Sequence, residues 1–401
     1  MHEALVLPDD QSRSVHIHYY LPAGSASEPE RLAGISHMLE HLVFKGTRSM
    51  NGRAIGRTID RLGGDLNAYT TKDYTVFSAR VLPADALDAL DLIQSMVHAP
   101  TLEAGDLKVE RQVVQSELEL YAETPEDVVA DWLEALLWPE SGYARPVAGY
   151  RDTVAAMRHE DLLQWHQRTY LEGSHLLAVA GQIQPLVESG HIAPCAPLLM
   201  RCDAGVAPEG SGEHLENRAD GPLHVAIGGA GPHLDHPQLA IADILCALLG
   251  AGVSSRLFSK LREDEGLSYG ITASMIPYGE RGLWTIESDL DPRRSQHALD
   301  LIRMTLDDLA ALGPTEEEVE RVKAQLTRSF LLSQESPGAR AERAGYFALL
   351  CGHVPTEEET LARLNAVQPE DVRTMACDWF GPDRLSIAAI GPRAGKLRLR
   401  R

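Results

Sequence analysis

Two histidines four residues apart, His37 and His41, stand in the string His37-Met38-Leu39-Glu40-His41. On a helix such residues share a face, so two imidazoles can converge on one divalent cation. Glu40 comes three positions after His37 and one before His41. It therefore sits beside that face, where it can take the proton of an attacking water without being a ligand. The order is H-x-x-E-H, the inverse of the commoner H-E-x-x-H. A catalytic zinc needs a third protein ligand and one open position, so an acid or imidazole must arrive from a separate element.

Other chemistries find less support. There is no G-x-S-x-G nucleophile elbow. The glycines at Gly228–Gly231 and Gly250–Gly252 lack the strand, helix and following acid of a dinucleotide fingerprint. Cys195, Cys202, Cys246, Cys351 and Cys377 are scattered, with no C-x-x-C spacing. They read as small apolar residues in a reducing compartment. A formal net charge of -21 argues against nucleic acid as a partner. It permits a cationic ligand, although a well-solvated surface is the plainer reading. The N-terminus has no basic segment followed by an apolar core, and no apolar run approaches a membrane span, so cytoplasmic localisation is expected. The basic tail at 396–401 reads as a frayed terminus.

The elements that must position the histidines recur. Ile35–Gly46 and Leu239–Gly250 both have helical apolar spacing and stop at glycine. Shorter helical stretches follow at 54–62 and 256–262, each turning at glycine (Gly63-Gly64; Gly266) into extended segments at 66–80, 267–274 and 282–288. Helices are predicted over 84–97 and 296–312, and both contain the string Ala-Leu-Asp-Leu-Ile. Val109-Glu110-Arg111 and Val319-Glu320-Arg321 each open a long amphipathic helix. Matching strings in matching order point to a duplicated α+β unit. The Gly-, Pro- and Ser-bearing stretch at 186–221 reads as a linker, which leaves domains at 1–185 and 222–401. Val15–Tyr19 alternates like a strand, with His16 and His18 expected to face solvent.

With these residues in view, the chain resembles the pitrilysin/insulinase family of inverzincins, in a short two-domain form similar to mitochondrial processing peptidase. The resemblance covers nearly the whole chain. In that family a glutamate 76 positions after the second histidine is the third zinc ligand, and here that position is Glu117. Glu110 matches a second acid of the pattern. It lies two helical turns before Glu117 on the same face, placed to orient a ligand or the water. Asn67 and Ala68 match the edge strand that pairs with a peptide substrate. Arg262 and Tyr269 match a pair that contacts substrate, and a guanidinium and a phenol are apt donors to a carbonyl oxygen gaining charge. The second copy has Asp243, Cys246 and Ala247 where a histidine set would recur, and Thr327 in place of Glu117.

The resemblance implies a zinc metalloendopeptidase. Its fold would be two duplicated α+β domains, each a mostly antiparallel sheet packed with helices, together half of a clamshell. Zn²⁺ is the implied cofactor and small or unfolded peptides the implied substrates, taken into an enclosed chamber. Two domains where the family clamshell has four imply a homodimer, or a heterodimer with a related chain lacking the motif. The rival expectations are a non-catalytic scaffold subunit of the same fold and a metal-dependent hydrolase acting on a non-peptide amide.

Overall fold

The computed structural model describes residues 2–63, 65–197, 199, 209–381 and 383–399. Cys202, Gly64 of the predicted turn, residues 200–208 of the linker stretch and the end of the basic tail lie outside the described residues. Among the described residues Cys195, Cys246 and Cys377 are free thiols. By contact the chain divides into two compact units. One comprises Met1–Glu119, Arg145–Gly205 and Leu331–Val354, and the other Leu120–Ala144, Val206–Phe330 and Pro355–Arg401.

The first unit is built on a six-stranded sheet of β1 (His2–Pro8), β2 (Val15–Leu21), β3 (Asp65–Thr70), β4 (Thr75–Val81), β5 (Leu176–Gly181) and β6 (Ile192–Pro194), in the order β3-β4-β2-β5-β1-β6. Pairing is antiparallel from β3 through β5, and β1 runs parallel to both β5 and β6. β5 is buried along its whole length, which accounts for its unbroken apolar run Leu-Leu-Ala-Val-Ala-Gly. The helices α1 (Ile35–Val43), α2 (Gly52–Leu62), α3 (Ala86–His98) and α4 (Ala104–Ala122) follow in chain order. Met38, Leu39 and Leu42 of α1 share one core with Phe77 of β4 and Ile93 of α3.

Two local expectations are corrected here. The single extended segment predicted over 66–80 is a hairpin, folded at 71–74, where the Thr71 hydroxyl accepts from the backbone N–H groups of Asp73 and Tyr74. A threonine that turns the chain through its own hydroxyl is hidden among β-formers in the sequence. His16 and His18 do not face solvent. They lie under the helix Pro337–Cys351, which packs on β2 and β5. Its Gly338 comes so near that a Cβ there would lie 2.7 Å from His16 Nδ1. Burial pulls His18 down to about 4, helped by the nearby His16, and lowers His16 as well. Alternation shows that the two histidines share a face. What covers that face is fixed some 320 residues later.

The second unit carries a five-stranded sheet of β7 (Glu213–Asn217), β8 (Leu223–Gly231), β9 (Ser268–Pro277), β10 (Gly282–Leu290) and β11 (Ser386–Gly391), ordered β7-β11-β8-β10-β9. Here too antiparallel pairs dominate, with β7 parallel to β11. Its element order repeats that of the first unit: strand, two helices, hairpin, two helices. The two Ala-Leu-Asp-Leu-Ile strings do the same work. In each, the alanine, both leucines and the isoleucine are buried while the aspartate is not. α5 (Pro125–Leu137) packs on β8 and β11 although it comes from the first half of the chain. Its Trp132 stacks on His214 of β7 at 3.9 Å.

One ion pair anchors the segment bearing Arg262. The short helix Arg256–Phe258 runs into a wide π turn, Ser259–Asp264. Arg256 donates two parallel hydrogen bonds of 2.8 Å to Glu318 at the start of the helix Glu316–Ser333. Those bonds, aided by the Thr315 N–H, pull the Glu318 carboxyl down to about 2. A carboxyl lowered from its unfolded value adds stability above that value and gives it up as pH falls toward the folded one. Glu318→Gln is expected to lower stability by about 1–2 kcal/mol at pH 7. The gap between the two chains should narrow as pH drops from about 4.5 toward 2. Urea melts of both at pH 7 and pH 3.5 check this, and an equal gap at both would contradict it.

Candidate metal centre

α1 buries Ile35, Met38, Leu39, Leu42 and Val43, which leaves His37, Glu40 and His41 on the remaining, half-buried face. The two imidazole rings are 4.7 Å apart, centroid to centroid. The helix is held at its start by a group outside it. The buried carboxylate of Glu28 accepts from the backbone N–H of Gly34 at 2.7 Å and of Ser36 at 2.8 Å. This satisfies two of the donors a helix leaves free at its N-terminus. Burial pushes the Glu28 carboxyl up to about 7, while those bonds and Arg145 act against the rise. Gly34 sits at φ 92°, and a Cβ there would come 2.4 Å from the Ala148 carbonyl oxygen, so only glycine can enter the helix at this point. Trp165 fixes the first turn from the side, donating to the Ser36 hydroxyl at 3.1 Å.

α4 brings the acids. Glu117 Oε2 lies 3.5 Å from His41 Nε2. Two turns earlier on the same face, Glu110 accepts from His41 Nδ1 at 3.2 Å and pairs with Lys45 Nζ at 2.6 Å. A proton held on Nδ1 by Glu110 leaves the Nε2 lone pair free and aimed toward Glu117. His37, His41 and Glu117 each offer a ligand atom, and these atoms lie within 4.8 Å of one another. Burial, with His41 beside it, draws His37 down to about 4, so its ring is neutral at pH 7. Its Nδ1 is buried without a hydrogen-bond partner. A neutral imidazole, a second one oriented by a carboxylate, and a half-exposed carboxylate are a donor set that suits zinc.

Glu40 does not join that trio. Its Oε2 accepts from the Thr70 hydroxyl at 2.6 Å, which swings the carboxylate toward the end of β3. Burial raises its pKa, and Glu117 adds to the rise, while Thr70 and His41 hold it down. β3 stands at the edge of its sheet, with Asn67 exposed and the Ala68 side chain buried. Arg262 and Tyr269 are in the second unit. The guanidinium lies over the Tyr269 ring at 5.0 Å, and over Phe258 at the same distance. Tyr269 is 85% exposed at the start of the edge strand β9.

Three contributors escape a reading of motifs. Lys45 could have been found, since it is four residues beyond His41 on the helical pitch. Thr70 could have been found as well, because it shares the inward side of β3 with Leu66 and Ala68. Glu28 has no such signal, because it caps the helix from a loop six residues before Gly34.

Comparison with known proteins identifies a family. The model of the family described as Insulinase (Peptidase family M16) matches residues 4–151, and that of the Peptidase M16 inactive domain matches residues 199–326. The uncharacterized zinc protease YmxG of Bacillus subtilis is 33% identical over 387 residues, covering 95% of this chain and 93% of that protein. A probable mitochondrial-processing peptidase subunit beta of Schizosaccharomyces pombe is 29% identical, covering 94% and 86%. Among solved structures, a protease from Helicobacter pylori superposes with a TM-score of 0.87 at 20% identity, covering 98% of each chain. A peptidase M16 inactive domain from Pseudomonas fluorescens gives 0.85 at 21%, covering 96% and 95%.

Removing the Glu28 carboxylate tests how α1 is held. Glu28→Ala leaves two buried N–H groups without an acceptor and is expected to lower stability by about 2–3 kcal/mol. Chemical denaturation read by circular dichroism measures it, and a loss below about 0.5 kcal/mol would show that the cap is dispensable.

Proposed function

The chain belongs to the insulinase family, peptidase family M16, and from that premise we propose that it is a zinc-dependent endopeptidase acting on small or unfolded peptides. The observation that carries this reading is the meeting of His37, His41 and Glu117, with ligand atoms within 4.8 Å of one another and Glu40 beside them. These three residues would hold Zn²⁺. When bound, the cation polarises the scissile carbonyl and makes water a stronger acid.

The protein's own groups do the rest. Glu40, positioned by Thr70, takes a proton from the attacking water and passes it to the leaving amine. A carboxylate whose pKa is raised by burial is a better base than an exposed one, which suits that exchange. Glu110 fixes the tautomer and tilt of His41. The open edge of β3 receives the peptide as an added strand, with Asn67 donating to its backbone and Ala68 pairing through its main chain. Arg262 and Tyr269, exposed together on the second unit, donate to the carbonyl oxygen as charge develops. In a closed dimer that pair would serve the partner's centre, within a chamber that selects peptides by size. The dimer would be two copies, or one copy with a related chain lacking the histidine pair. No helix among the described residues is long and apolar enough to cross a membrane, and the proposed setting is the cytoplasm. The acidic surface gives no footing for nucleic acid. A scaffold role is less well supported, because a scaffold has no use for a cluster of converging ligand atoms.

Two measurements test the reading. Glu40→Gln should cut cleavage of a quenched fluorescent peptide by about 10³-fold or more while the chain still takes up zinc. Retention of more than a tenth of the activity would remove Glu40 from its role. For the dimer, His37→Ala and Tyr269→Phe chains, each nearly inactive, should recover activity when mixed. Absence of any recovery would rule out a shared site in a homodimer.

A further inference from the structure

A second group of potential ligands lies in the second unit, on side chains that the peptidase reading does not use. Glu126 is in the first turn of α5, His224 near the start of β8, and Asp289 directly across from His224 on β10. Each offers a ligand atom, and the three atoms lie within 4.8 Å of one another. We propose that Glu126, His224 and Asp289 form a second site for a divalent transition cation such as Zn²⁺, clasping the start of α5 to the sheet.

His224 carries the argument. It is 6% exposed, and its Nδ1 is buried without a hydrogen-bond partner. That nitrogen is 2.6 Å from Asp289 Oδ1 but lacks the alignment a hydrogen bond requires, and it is 3.7 Å from Glu126 Oε1. An imidazole nitrogen that makes no hydrogen bond and has two carboxylates within ion-pair distance presents its lone pair where a metal ion could take it. Two ligands about 2.1 Å from one tetrahedral ion stand roughly 3.4 Å apart. The Glu126 distance is near that value, and the half-exposed Asp289 has room to swing outward to reach it.

Charge argues the same way. Neither Glu126 nor Asp289 pairs with a lysine or arginine among the described residues. Asp127 adds a further negative charge in the same turn and bears on Glu287 of β10, whose pKa is raised by burial and by that neighbour. A helix N-terminus favours one carboxylate, which accounts for Glu126 but leaves Asp289 and His224 unexplained. Both carboxylates are exposed enough for water to complete the coordination. One imidazole with two carboxylates suits Zn²⁺ or a neighbouring first-row cation better than calcium, which prefers oxygen alone.

The test uses the full chain stripped of metal and titrated with Zn²⁺ alone. Wild type should bind two equivalents. A chain carrying H41A and E117A should bind one, and adding H224Q to that chain should abolish it. Zn²⁺ should also raise the melting temperature of the H41A/E117A chain by several degrees. D289N, at a half-exposed position, replaces H224Q as the control if the latter fails to fold by circular dichroism, and it should lose the same shift. The proposal is overturned if the H41A/E117A chain binds no Zn²⁺, or binds it equally with and without H224Q or D289N. Wild type binding a single equivalent that H224Q removes would support this site and count against the first, so the two readings fail separately.

Discussion

Burying a carboxylate costs several kcal/mol unless it is paired, and Glu110 on α4, with 3% of its side chain exposed, finds both ion-pair partners in α1 and its exit. His41 and Lys45 are four residues apart, so they present to α4 as one surface. The pairing therefore sets where two helices lie against each other, in addition to tilting one imidazole. Glu117 depends on it directly, because two turns of α4 carry it from Glu110 to the other nitrogen of His41. Without Glu110 in its place, the spacing of the motif would still be correct and its third member would have no reason to arrive.

The second unit shows that local sequence alone does not produce this. Val-Glu-Arg recurs at 319–321, but Glu320 keeps 63% of its side chain exposed and pairs with Lys323 on its own helix. The helix Leu239–Gly250, which occupies the place of α1, offers Asp243 and Cys246 in place of an imidazole face. Both are pushed up in pKa by burial, Asp243 to about 7. The same string thus gives a buried, bridging carboxylate in one unit and a solvated one in the other. What differs is the partner: His41 and Lys45 for Glu110, and Lys323 of the same helix for Glu320.

This bears on how far the molecule could be read in advance. The α1 face was legible because helical periodicity fixes which side chains share a side, and His37, Glu40 and His41 obey it. The two hydrophobic strings around Asp91 and Asp300 were legible for the same reason. Thr70 was within reach of period-two reasoning but needed the packing of β3 beside α1 to make it a partner of Glu40. The cover over His16 and His18 was beyond reach, as was the placing of α5 on β8 and β11. Each joins residues from opposite halves of the chain, and no periodicity connects segments so far apart. The acid at Glu28 belongs with these, since a capping side chain in a loop has no repeat to announce it.

The energetics of the first cluster give the arrangement its logic. His37 is half-buried with an unpartnered nitrogen, and Glu40 is half-buried with Thr70 as its hydrogen-bonding neighbour. Each is a desolvation penalty that folding alone leaves open. Preorganised sites hold such penalties in place through their surroundings, and here the surroundings are specific: Glu28 and Trp165 at the head of α1, Glu110 and Lys45 at its exit, Thr70 alongside. Metal ligands that were satisfied by one another would need to break those bonds before binding. Ligand atoms gathered without hydrogen bonds to one another need only the cation, so stability elsewhere in α1 is what keeps this face receptive.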